Sequence, residues 1–190
     1  MERADIYNLV FQQKEFIKEP LLRGDYEKCR FIHCDFSNAD LTKTYFTDCE
    51  FTDSNLSNVK LADTAFRTVQ FTNCKLLGLH FENCNPFLLE MNFDGCNLSH
   101  ASFYQVKLKK AAFRNCLLTE ADFTEADLSE SDFNGSDLSG AIFNGSMLEK
   151  ANFSTALHYT INPEINRIRK ATFSQDGLAG LLSQHDIKII

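Results

Sequence analysis

Large apolar residues recur along this chain with a period of five. From Phe11, every fifth residue is Phe, Leu or Tyr: Phe11, Phe16, Leu21, Tyr26, Phe31, Phe36, Leu41, Phe46, Phe51, Leu56, Leu61, Phe66, Phe71, Leu76 and Phe81. The frame then slips by two residues. It resumes at Phe93 and continues through Leu98, Phe103, Leu108, Phe113, Leu118, Phe123, Leu128, Phe133, Leu138, Phe143, Leu148 and Phe153. Two residues before these centres stand small residues, among them Cys29, Cys34, Ala39, Ser54, Ala111, Cys116, Ala121 and Ser131. The remaining positions are mostly polar. A period of five matches neither the roughly 3.6 of an α-helix nor the 2 of a flat strand.

A chain that turns a corner every five residues satisfies this pattern. Four sides close a coil, and coils stack as parallel strands about 4.8 Å apart. Residue identity at a spacing of one coil supports four sides: Phe93, Phe113, Phe133 and Phe153 fall in one column, and Leu98, Leu118 and Leu138 in the next. Like side chains then stack along each inner face. Gly135, Gly140 and Gly145 recur two places after a centre, where a corner with positive φ disfavours a Cβ.

The slip lies within residues 82–92. There the next centre would be Pro86, which cannot donate to a β-ladder. A bulge or short loop follows, with Phe87 or Leu88 pushed to the surface. Residues 1–157 are thus read as the repeat domain and 158–190 as a capping or dimerisation segment. In that segment Ser174 reads as an N-cap and Leu178, Leu181 and Leu182 form one apolar helical face. The helix ends at His185–Asp186, and Ile187–Ile190 read as a terminal strand.

Composition changes the picture in few places. With 44% hydrophobic and 24% charged residues the chain is typical of a globular protein, though 18 Phe and no Trp mark Phe as the packing unit. No apolar run approaches the roughly 20 residues that span a bilayer. The N-terminus lacks a basic region followed by an apolar stretch, so the expected location is cytoplasmic. A net charge of −7 argues against direct binding to nucleic acid or an anionic membrane. All seven Cys occupy the small inward position, where thiols act as small hydrophobes rather than disulfides or metal ligands. The five His are expected as isolated surface residues. No phosphate loop, nucleophile elbow or zinc signature is present, so neither an enzyme nor a cofactor is expected.

The charges that invite a binding role lie between Asn115 and Glu149. Glu120, Asp122, Glu125, Asp127, Glu130, Asp132, Asp137 and Glu149 stand there without a Lys or Arg. Asp122, Asp127, Asp132 and Asp137 each precede a centre, so repeat architecture alone can account for them. Glu120, Glu125 and Glu130 fall at variable corners and are the stronger candidates for partner binding. Duplex DNA carries roughly three charges per 4.8 Å, a density that coil 121–140 reaches locally. Lys107, Lys109, Lys110 and Arg114 form a basic coil beside it, a pattern a uniform DNA mimic would lack.

The run Ala121-Asp-Phe-Thr-Glu, Ala126-Asp-Leu-Ser-Glu, Ser131-Asp-Phe-Asn-Gly, Ser136-Asp-Leu-Ser-Gly resembles the A(D/N)LXX consensus of pentapeptide-repeat proteins. The resemblance covers roughly residues 11–157 and implies an all-β, right-handed quadrilateral parallel β-helix. The segment Ile161–Ser174 with its apolar tail resembles the end of a bacterial subgroup. That subgroup comprises the Qnr quinolone-resistance proteins, the mycobacterial fluoroquinolone-resistance protein, and the immunity proteins against microcin B17 and albicidin. This resemblance implies a homodimer formed through Leu178, Leu181, Leu182, Ile187 and Ile189. It also implies a DNA gyrase or topoisomerase IV partner protected from a toxin or drug, in part by DNA mimicry. The alternative is a pentapeptide-repeat adaptor or regulator with an unrelated protein partner.

Overall fold

A residue that must be buried at every fifth position brings the backbone round a corner at every fifth position. The computed structural model, which describes residues 4–185, 187 and 188, is accordingly a four-sided parallel β-helix. One side is a sheet of β1 (Ala4–Tyr7), β3 (Gly24–Glu27), β5 (Tyr45–Thr47) and β7 (Ala65–Arg67). The following side carries β2 (Val10–Gln12), β4 (Arg30–Ile32), β6 (Glu50–Thr52), β8 (Val69–Thr72), β9 (Met91–Asp94) and β10 (Phe113–Arg114). The same side ends in β11 (Asn152–Phe153) paired with β12 (Thr172–Phe173). The other two sides are joined by single parallel bridges such as Asp35 to Asn55 and Ser102 to Asp122.

The core is a set of side-chain columns. Phe11, Phe31, Phe51, Phe71, Phe93, Phe113, Phe133, Phe153 and Phe173 form one unbroken stack, with successive ring centroids 4.7–5.3 Å apart and planes within 19°. A second column, Phe81, Phe103, Phe123 and Phe143, meets the first edge to face, as between Phe103 and Phe113 at 5.4 Å and 89°. Both geometries suit the ring quadrupole.

The small inward position does more than fit. Its hydroxyls and thiols donate to the buried carbonyl of a centre in the preceding coil: Ser136 Oγ to Phe113 O at 2.7 Å, Thr64 Oγ1 to Leu41 O at 2.8 Å, Cys49 Sγ to Tyr26 O at 3.3 Å. Carbonyls in a dry interior are costly if left without a donor. Ser, Thr and Cys are therefore selected for a proton as well as for size.

Two rules shape the outside. The residue before each centre is often Asp or Asn, and its Oδ1 accepts the N–H two residues on, as in Asp122 to Thr124 at 2.9 Å and Asp137 to Ser139 at 3.0 Å. The second residue after most centres is left-handed. Gly135, Gly140 and Gly145 have φ of 72°, 68° and 70°, but 23 non-glycine residues among those described also have positive φ. Each such residue costs about 1–2 kcal/mol relative to the right-handed region. The closed interior therefore dictates the corner conformation whatever side chain stands there.

The slip is absorbed on a single side. Cys84 keeps the inward position, while Pro86, Phe87 and Leu88 turn outward; Phe87 and Leu88 are each 65% exposed. Leu89 packs against the core where the absent centre would lie. The β1-β3-β5-β7 sheet stops at this turn, and bridging on that side resumes at Lys107 to Asp127. The adjacent side continues without a break from β8 to β9.

At the C-terminal end Ser174 Oγ accepts the Gly177 N–H at 3.0 Å, and the short helix is two 3-10 turns, Leu178–Leu181 and Ser183–His185. Gly177 and Gly180 lie directly on Tyr159, where a Cβ at Gly180 would come 2.0 Å from the Tyr159 carbonyl oxygen. That approach and the Ile161 N–H bond to Gly180 O hold the segment across the last coil as a cap. Ile187 and Lys188 have no regular structure, and Ile189 lies outside the described residues.

Candidate partner-binding surface

Asp122, Asp127, Asp132 and Asp137 stand on four successive sides of one coil, each accepting the N–H two residues on. Their second oxygens are also engaged in part. Lys109 Nζ lies 3.3 Å from Asp127, which is 5% exposed, and Arg114 Nε lies 2.7 Å from Asp132. The basic coil is thus stacked directly beneath the acidic one and neutralises two of its carboxylates. Hydrogen bonds from Ser139 and His158 hold the Asp137 carboxyl below the usual carboxylate range.

Glu120, Glu125 and Glu130 occupy three successive left-handed corners, with φ of 55°, 57° and 64°. They face different directions, and each meets a neighbouring coil. Glu120 lies 3.3 Å from His100, Glu125 accepts from Gln105 Nε2 at 2.7 Å, and Glu130 lies 3.6 Å from Lys150. Glu120 and Glu130 remain largely exposed, so these pairs are weak and open to exchange with a partner.

Four histidines pair with carboxylates instead of standing alone: His33 with Asp53, His80 with Glu82, His100 with Glu120 and His158 with Asp137. All seven cysteines are buried and free. Burial raises the Cys49 thiol to about 12 and pushes Cys84 up as well. Among the described residues no group of His, Cys, Asp and Glu is placed to hold a metal ion. Nor is any helix among them long and apolar enough to cross a membrane.

Sequence reasoning missed Arg67. Its guanidinium lies between the rings of Tyr45 and Phe87, 5.3 and 5.6 Å from their centroids. The signal was indirect: Tyr45 and Arg67 flank centres one coil apart, but Phe87 reaches them only because the slip turns it outward. Arg67, Pro86, Leu88 and Lys107–Ala111 line an open groove of about 700 Å3.

At the C-terminal cap, Leu181 packs partly against its own core. Leu178, Leu182 and Ile187 are exposed.

The description "Pentapeptide repeat region" matches residues 25–85 and 79–153. The chain belongs to the pentapeptide-repeat family. Among solved structures it is similar to two trypsin-treated variants of QnrB1, a plasmid-mediated fluoroquinolone resistance protein. One variant aligns with a TM-score of 0.65 at 18% identity, covering 98% of this chain and 100% of that one. The other gives 0.64 at 17%, covering 96% and 99%. No curated protein matches by sequence. At this identity the likeness to QnrB1 concerns the fold.

Proposed function

We propose that this pentapeptide-repeat protein is a non-catalytic binding protein that protects a bacterial type II topoisomerase, DNA gyrase first, from a quinolone-type drug or toxin. The observation that carries this reading is the correspondence with the QnrB1 fold over nearly the whole chain, including the C-terminal cap region. In this reading those of Glu120, Asp122, Glu125, Asp127, Glu130, Asp132 and Asp137 that share one side of the coil meet a basic DNA-binding groove. The protein acts in the cytoplasm as a homodimer through Leu178, Leu182 and Ile187, with Leu181 supporting them from beneath. Binding weakens as salt rises, because the contacts are between exposed charges. The test is a supercoiling assay with purified gyrase and a quinolone, with and without this protein. Restored supercoiling supports the reading, and failure to bind gyrase even at low salt ends it.

One observation favours a second reading, an adaptor for an unrelated partner. The acidic coil is partly neutralised from within by Lys109 and Arg114. A surface evolved to imitate DNA over its whole length would leave those carboxylates uncompensated.

A further inference from the structure

The chain carries a net charge of −7, yet one part of its surface is locally cationic. Arg67, Lys107, Lys109 and Lys110 line the groove beside the outward turn, against a single lining carboxylate, Glu90. Lys109 is occupied by Asp127 at 3.3 Å. Among the described residues no ion pair joins Arg67, Lys107 or Lys110 to a carboxylate. Arg67 Nε is buried with no hydrogen-bond partner, and its guanidinium is fixed between two aromatic rings. A guanidinium fixed by two rings at the groove wall is pre-organised to receive an anion. Beside these charges the turn presents Leu88, whose φ of 56° is strained for a bulky residue.

We propose that this groove is a docking site for an acidic segment of a partner protein. Its carboxylates meet Arg67, Lys107 and Lys110, and an apolar side chain seats against Leu88 and Leu89. Charge complementarity selects this occupant. The groove sets its cations beside the apolar lining of Leu88 and Leu89, which an acidic segment carrying an apolar side chain matches and a sugar–phosphate backbone does not. The proposal does not depend on the topoisomerase reading, since it concerns a different charge and a different part of the rod.

The experiment is fluorescence anisotropy at low salt, using the full chain. The probe is a fluorescein-labelled ten-residue peptide of Asp and Glu containing two Leu and one Phe. The comparison probes are the same peptide with every acid replaced by Lys, and a ten-nucleotide oligothymidylate. The acidic peptide is expected to bind, and the Lys peptide is not. The double variant Lys107→Gln, Lys110→Gln should weaken binding at least ten-fold at unchanged melting temperature. Lys75→Gln, on another side of the rod, should leave it within two-fold. The double reversal Lys107→Glu, Lys110→Glu should transfer preference to the Lys peptide. No saturable binding, equal loss with Lys75→Gln, or tighter binding of the oligothymidylate would each overturn the proposal.

Discussion

Phe71 lies flat on Phe93, with ring centroids 5.3 Å apart and planes 9° from parallel, although their numbers differ by 22 rather than 20. The two extra residues are therefore absorbed within one side of one coil, and the column passes the slip intact.

Removing Pro86 and Phe87 should restore five-residue spacing, with Leu88 at the inward centre. The variant is expected to fold with a melting temperature equal to or above that of the wild type. A drop of more than a few degrees by circular dichroism would mean that the outward turn supports the core.

Phe113 stacks between Phe93 and Phe133 and is fully buried. Phe113→Ala should destabilise by about 3–5 kcal/mol, the range for a large-to-small change in a rigid core. Urea denaturation measures this. A loss under about 1 kcal/mol would show that neighbouring rings close the cavity.

The buried thiols should be protected. Native protein at pH 8 should react slowly with a disulfide reagent, because burial keeps Cys49 and Cys84 protonated. Denatured protein without reductant should release all seven thiols. Fewer equivalents, or zinc in the purified protein, would contradict the inward placement.

Asp137 should link stability to acid pH. Its folded pKa is depressed, chiefly by the Ser139 hydroxyl and then by His158. Its contribution is present above the unfolded value of about 3.9 and is lost as pH falls through the folded value. Asp137→Asn should thus melt below the wild type at pH 7, and the gap should narrow below about pH 4. A gap independent of pH would assign the effect to packing.

Leu178 and Leu182 are exposed on the cap, whereas Leu181 packs against the core. Leu178→Glu with Leu182→Glu should yield a folded monomer by light scattering. An intact dimer would place the interface elsewhere.

The columns were legible because stacking conserves residue type at one coil's spacing, so counting by five and twenty finds both the centres and the four sides. The join from Phe71 to Phe93 was not. An insertion breaks the count, and choosing Leu89 over Pro86 as the residue that turns inward needs the geometry of the neighbouring coils. The basic coil beside the acidic one is legible by counting, but which charges meet, as in Lys109–Asp127 and His100–Glu120, needs the side-chain positions of neighbouring coils. Arg67 stayed hidden because Phe87 reaches it only through the outward turn. The binding partner leaves no comparable trace, since a period records what packs inside and not what the outside meets.

The left-handed corners have a consequence for how such a rod changes over generations. Glu120, Lys110, His100 and Asn115 all adopt this conformation, with φ between 52° and 64°. The backbone there is set by the closed coil, so exchanging one side chain for another alters charge and reach without a new conformational demand. Corners that already carry a side chain are therefore places where charge varies without the fold. New specificities can be written at them one residue at a time while the columns beneath stay fixed.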